Sequence, residues 1–262
     1  MMKQRFFNLI TAVGSTTIAI ATWAIAPNAV ARELSKIESK GELKVAVKNN
    51  VRPLGFTDRQ GELVGLEIDI ARKLAEELLG DEKAVELLPV SNQERLQVIL
   101  DDEVDLAIAR VAVTTPRARI VSFSPYYYLD GTSIVTNSSD VKKIDDLNRR
   151  KIAVLRDSVT IAIVRNRLPD AVLVGVDSYQ EALRLVDSKQ VDAFAGDRSV
   201  LSGWIQEYPH HQLLSARLSG AALAVVMPKG LQYQELRSQV DRAIAKLKES
   251  GWLESRIKYW GL

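Results

Sequence analysis

From Gly41 onward the apolar positions switch between two periods. "ELKVAV" (42–47) reads as a strand. In "EIDIARKLAEELLG" (67–80), Ile68, Ile70, Ala71, Leu74, Ala75 and Leu78 recur at helical spacing, and Gly80 is a stop signal. "AVELLPV" (84–90) predicts a second strand and "NQERLQVILDD" (92–102) a second helix. "VDLAIARVAV" (104–113) predicts a third strand with a short polar break. Such alternation implies β-α-β units and a mainly parallel sheet.

A second cycle follows. "KIAVL" (151–155), "AVLVGV" (171–176) and "VDAFAG" (191–196) predict strands. "TIAIVRNRL" (160–168), "SYQEALRLVDS" (178–188) and "RSVLSGWIQEY" (198–208) predict the helices between and after them. Each set is too small for a typical domain but adequate as a lobe. Apolar β-runs near 132–137 and 222–227 bracket the second set, and a long helix from Leu231 to about Ser250 precedes a tail, "GWLESRIKYWGL". The pattern predicts an α/β protein of two lobes joined by two hinge strands. Lobe one takes 32–134 plus 223–262, and lobe two takes 135–222. The cleft between such lobes is the natural ligand site.

The first 31 residues stand apart. Lys3 and Arg5 precede an apolar stretch from Phe6 to about Ala26, and Ala29-Val30-Ala31 fits an A-x-A cleavage pattern. This predicts a secretory signal peptide cut after Ala31, and a periplasmic product. The stretch is just long enough to span a bilayer as an uncleaved anchor, but Thr11, Gly14, Ser15, Thr16, Thr17 and Thr22 dilute it. Without cysteine there is neither a disulfide nor a lipid-attachment site, so the fold must rest on its core. Removal of Lys3 and Arg5 leaves 33 basic residues against 33 acidic. A neutral body offers no global field for nucleic acid or an anionic membrane, and any charge selectivity must be local.

Several segments, in order, carry a resemblance. They are "GELKVAV", the Pro53-to-Phe56 turn, "GELVGLEIDIARKLAEEL", "VDLAIARVAVTTPRARIVSFSPYYYLDGTSIV", "KIAVLRDSVT", "VDAFAGDRSVL", "LAVVMPKG" and "GWLESRIKYWG". Across nearly all of 41–262 the chain resembles extracytoplasmic amino-acid-binding proteins of ABC uptake systems, the polar-amino-acid, family 3 solute-binding class. That resemblance implies the two-lobed periplasmic-binding-protein fold of type II.

It also implies site residues. Thr114, Arg117 and Phe123 match a T-x-x-R motif ahead of F-[ST], whose arginine takes the ligand α-carboxylate. Guanidinium offers a planar fork that matches a carboxylate. Backbone N–H groups at the end of "AIARVAV", around Ala112, would add donors. Arg119 has no counterpart role and is expected in solvent. Asp197, five positions after Asp192, matches the acid that pairs with the ligand ammonium, and it could also cap the following helix. Ser158 stands where relatives carry a Gly-Thr-Thr-like turn, of which it keeps one hydroxyl. Lys48 follows the first strand, where relatives binding acidic side chains tend to be basic. Arg52 lies close by, and Arg110 replaces a residue that is usually small. Together these cations favour glutamate or aspartate, with other polar amino acids next. Val51 stands where some relatives stack an aromatic, which leaves that role to Phe56 or a tyrosine.

Other features read as structural. Tyr126, Tyr127 and Tyr128 are expected to pack the inter-lobe junction. Glu67 and Asp69 sit at a helix start, where carboxylates suit the dipole. His210 and His211 sit in a polar loop, and two adjacent histidines without acidic or thiol companions read as a poor metal site. The expected protein is a monomer without metal or cofactor. Its expected partners are a free amino acid and the inner-membrane permease of an ABC transporter. Two alternatives share the fold: a secreted enzyme of the cyclohexadienyl or arogenate dehydratase kind, and a stand-alone amino-acid sensor. The chain carries no GxSxG, Walker A or HExxH motif.

Overall fold

The computed structural model describes residues 34–156 and 158–262. The expected signal peptide and its cut after Ala31 lie outside the described residues, as does Asp157. The first lobe opens with α1 (Leu34–Lys40) and β1 (Leu43–Val47). A small antiparallel sheet follows: β2 (Asn50–Val51), β3 (Gly55–Thr57) and β4 (Leu63–Val64). Then come α2 (Leu66–Leu79), β5 (Val85–Pro89), α3 (Glu94–Leu100), β6 (Leu106–Ile108), α4 (Thr115–Ile120) and β7 (Ser122–Asp130).

The second lobe runs through β8 (Thr132–Thr136), β9 (Lys151–Leu155), α5 (Thr160–Arg167), β10 (Val172–Val176), α6 (Tyr179–Asp187), β11 (Ala193–Asp197), α7 (Arg198–Glu207) and β12 (Gln212–Leu213). The chain then returns with β13 (Ala221–Met227), α8 (Gln234–Glu249) and α9 (Trp252–Tyr259). The tail expected after the long helix is thus itself a helix.

Each lobe holds one five-stranded sheet, ordered β5-β1-β6-β13-β7 in the first and β10-β9-β11-β8-β12 in the second. The chain leaves the first sheet after Asp130 and rejoins it at Ala221, where the two residues pair. The crossovers therefore fall at Gly131 and Gly220, a few residues from the expected changes at 134/135 and 222/223. They touch closely: a Cβ on Gly131, whose φ is +154°, would sit 2.0 Å from the Ser219 carbonyl oxygen. Only glycine fits that approach.

Burial explains the central elements. Val45, Ala46 and Val47 of β1 are all fully buried, as expected for a parallel strand covered on both faces. In α2 the predicted stripe of Ile70, Ala71 and Leu74 is buried in the first-lobe core, and the Gly80 N–H closes the helix on the Glu76 carbonyl. Among the described residues no helix is long and apolar enough to cross a membrane.

Two expectations change. The strand expected over 104–113 is regular only at Leu106–Ile108, because Arg110 takes a left-handed φ of 52° and Ala112 returns as an isolated bridge to Leu223. Side chains replace the lost ladder bonds. Glu67 Oε1 accepts the Arg110 N–H at 2.7 Å, and the Arg95 guanidinium donates to the Ala109 and Arg110 carbonyls. The tyrosine run belongs to β7 rather than to a junction. Tyr127 and Tyr128 join the first-lobe core, while Tyr126 is exposed beneath the Lys248 ammonium, 3.6 Å from its ring centre.

Candidate functional site

Parallel strands deliver their last residues to one edge of a sheet, where ligand sites of open α/β folds gather. Here Lys48 follows β1, Ser91 follows β5, Arg110 follows β6, and Asp197 ends β11. The two lobes meet over these edges and line a half-open cavity of about 650 Å³. The first lobe lines it with Lys48, Asn50, Val51, Arg52, Ser91, Asn92, Gln93 and Arg110. The second lobe contributes Tyr179, Gln180 and Leu183 of α6 and Val200, Gly203, Trp204 and Glu207 of α7, with Tyr208 just beyond. That volume suits a small polar ligand.

Several contacts join the lobes, among them a 2.8 Å hydrogen bond from Gln206 Nε2 of α7 to the Trp260 carbonyl, and three border the cavity. The Arg110 guanidinium is hydrogen-bonded to the Asp197 carboxylate. Arg52 Nε lies 3.3 Å from Glu207 Oε1. Gly203 of α7 presses on the Arg52 backbone so closely that a Cβ would lie 2.4 Å from the Arg52 carbonyl oxygen. The lobes are thus shut on one another, and Arg110 and Asp197 form the polar latch.

The electrostatics follow from burial. Lys48 is 3% exposed, and its ammonium donates to the Val90 carbonyl at 2.6 Å. Burial lowers its pKa first, and Arg95 and Arg110 lower it further. Burial alone would lower Arg110 as well, but Asp197 and Tyr179 outweigh it and the net shift is upward. Arg95 is pushed down to about 10 by burial, with Arg110 and Arg117 adding to the effect. Basic groups therefore crowd the first-lobe side of the cleft, and Asp197 answers from the second.

Beneath them lies Glu67, with no exposed surface. Its Oε1 accepts the Tyr127 hydroxyl at 2.6 Å as well as the Arg110 N–H, while Oε2 is buried without a partner. Burial raises this carboxyl to about 7, against the opposing pull of Tyr127 and the Arg110 N–H. Glu67 and Asp69 lie in the first turn of α2, as expected, and each also takes specific partners. Glu67 props the left-handed turn at Arg110, and Asp69 accepts from Arg256 and from Trp260 Nε1 at 2.7 Å.

A group raised in this way contributes stability that is complete below its ordinary value of 4.5 and is lost as pH rises through 7. Glu67→Gln has no proton to lose. Its melting temperature relative to wild type is expected to climb between pH 4.5 and 7, by a difference worth up to about 3 kcal/mol. Parallel curves for the two proteins across that range would refute the buried titration.

The cavity gathers Lys48, Arg52 and Arg110 from the expected residues, and Arg110 ties Asp197 to them. It does not reach four others. Thr114 caps α4, accepting the Arg117 N–H at 3.4 Å. Arg117 is half-buried and donates to the Ala112 carbonyl at 2.9 Å, so both stay behind the wall. Ser158 donates to the Leu155 carbonyl at 2.8 Å. Asp197 stands at the N-cap of α7 but makes no cap bond, because its carboxylate is turned to Arg110. Arg119 is exposed, as expected. Phe56 is buried under the Arg52 guanidinium, 3.9 Å from its ring centre, so the aromatic wall is Tyr179 and Trp204 instead.

Sequence reasoning missed Glu67 and Arg95, although a signal was present. Glu67 shares one helical stripe with Ile70, Ala71 and Leu74. Arg95 shares another with the buried Val98 and Ile99.

Comparison with known proteins agrees with this architecture. The "ABC transporter glutamine-binding protein GlnH" of Bacillus subtilis (strain 168) is 26% identical over 230 residues, covering 87% of this chain and 84% of that protein. The "Glutamate-binding protein GluB" of Corynebacterium glutamicum is 25% identical over 218 residues, covering 79% and 74%. Among solved structures, an "Ancestral Cationic Amino Acid Solute Binding Protein" superposes with a TM-score of 0.77 over 88% of this chain and all of that one. At 24% identity it speaks to the fold alone. The model of bacterial extracellular solute-binding proteins, family 3, matches residues 43–262, and the chain belongs to that family.

Proposed function

We propose that the protein captures a free amino acid with an acidic side chain between its lobes and presents the closed form to the permease of an ABC transporter. The Arg110–Asp197 pair across the cleft carries this reading. When a ligand α-ammonium takes Asp197, the guanidinium of Arg110 loses its partner inside a partly desolvated site. Unpaired charge there is costly. A neutral zwitterion brings as much positive charge as negative and leaves Arg110 short of an anion. Glutamate or aspartate brings one further carboxylate, which Arg110 and Lys48 can hold. The α-carboxylate then falls to Arg117, whose guanidinium must leave the Ala112 carbonyl and turn from behind the wall into the cleft, with Arg52 at the rim. Relatives named for glutamine and glutamate support the amino-acid class.

A thermal-shift scan against the twenty amino acids tests the reading. A ligand that binds the folded form raises the melting temperature, and glutamate and aspartate are expected to raise it most. A shift with glutamine or arginine but none with the acidic pair would overturn the side-chain assignment and leave the class standing. Turnover of a prephenate-like acid with no response to any amino acid would overturn both.

A further inference from the structure

His210 and His211 lie in the turn between α7 and β12, and the fold brings them an acidic companion from another helix. Asp187, the last residue of α6, places Oδ1 3.1 Å from His210 Nε2 and 3.1 Å from His211 Nε2. One donor atom from each of the three falls within 4.8 Å of the others. The His211 side chain has no exposed surface, yet neither of its ring nitrogens has a hydrogen-bond partner. Its approach to Asp187 is close but not directed as a hydrogen bond. Trp204 and Tyr208 pack edge-on against the His211 ring, at 5.6 Å and 6.1 Å between centres. A buried imidazole left unpaired beside a carboxylate is costly without a further partner.

We propose that Asp187, His210 and His211 form a binding site for a divalent transition metal of the zinc type. Two imidazoles and one carboxylate are a zinc donor set, and imidazole disfavours magnesium and calcium. Ligands about 2.0–2.1 Å from a tetrahedral ion lie roughly 3.3 Å apart, close to the two 3.1 Å edges found here. Asp187 and His210 are largely exposed, at 42% and 58%, which leaves an entry path and room for a water as fourth ligand. The ion would join the end of α6 to the turn after α7. Its ligand His211 backs Trp204 and Tyr208, whose other surfaces line the cavity. The metal therefore braces the second-lobe wall of the cleft and takes no part in holding the ligand.

The test uses the whole protein without a polyhistidine tag, stripped with a chelator and titrated with Zn²⁺ by calorimetry. One equivalent per chain and a raised melting temperature are expected. Co²⁺ should give the intense visible bands of a four-coordinate site. His210→Ala and Asp187→Asn change exposed side chains, so their metal-free melting temperatures should match wild type. Each should weaken Zn²⁺ binding by more than about tenfold. No uptake at 100-fold excess Zn²⁺ would reduce the cluster to a histidine–aspartate contact and overturn the proposal. Undiminished uptake in both variants would overturn it equally.

Discussion

Arg110→Met is expected to weaken glutamate binding by about a hundredfold while glutamine binding holds or improves. In the closed protein the Arg110 side chain is 18% exposed, and its guanidinium is committed to Asp197. Ligand entry forces an exchange in which the α-ammonium displaces the guanidinium from Asp197. An acidic ligand completes the exchange by offering its side-chain carboxylate. Removing one member of a desolvated charge pair costs about 3 kcal/mol, near a hundredfold in affinity. For glutamine the sign reverses, because methionine removes the cation that the neutral ligand would strand.

Methionine is also the right control for the backbone. Arg110 sits at φ 52°, and one non-glycine residue replaces another there, so the strain of the left-handed turn is unchanged. Its N–H still reaches Glu67. Calorimetric titration with both ligands reads the outcome. Equal losses for glutamate and glutamine would assign Arg110 to the shared amino-acid end of the ligand. No loss for either would remove it from the site.

The fold was legible wherever burial was periodic. The α2 helix came within one residue of its expected ends because its stripe packs on one core, and the strands β1 and β9 lie within their expected spans because both faces of each are buried, giving a continuous apolar run. Strand β7 escaped for a physical reason. Its pairing with β13 shifts register twice, and Pro125 interrupts it, so "SFSPYYYLD" never shows a clean period of two. The polar break in the third strand was legible, but the partner that fixes it at Arg110 was hidden, since Glu67 lies 43 positions away.

The site divides along the same line. Lys48 and Arg110 could be named as candidates one by one, because each follows a strand of the first-lobe sheet. Their partners could not, because pairing is a property of closure. Arg110 meets Asp197 across 87 positions only when the lobes shut, and Asp187 meets the two histidines only through the packing of α6 beside the turn after α7. Arg117 shows the opposite limit. Its motif was plain, yet its guanidinium is turned to the Ala112 carbonyl and lies outside the cavity wall.

Gly203→Ala should separate closure from folding. The new Cβ would meet the Arg52 carbonyl oxygen at 2.4 Å and its carbon at 2.9 Å, distances no real contact sustains. The Arg52 segment cannot retreat, because the carbonyls that follow it are engaged: Pro53 accepts the Leu66 N–H at 3.1 Å and Leu54 accepts the Glu67 N–H at 2.8 Å. These bonds pin the loop to the start of α2, so the strain must be relieved by opening the cleft. The Arg52–Glu207 and Arg110–Asp197 contacts stretch with it. Overpacking of this kind costs about 1–3 kcal/mol, which sets the expected loss of affinity at roughly ten- to a hundredfold for any cleft ligand. Within α7 itself alanine is the better helix former, by about 1 kcal/mol over glycine. The ligand-free melting temperature should therefore hold or rise while affinity falls, a combination that general destabilisation cannot produce. Small-angle scattering at saturating ligand should give a larger radius of gyration than wild type. An unchanged radius with unchanged affinity would mean that α7 and the Arg52 loop do not press together in the bound state.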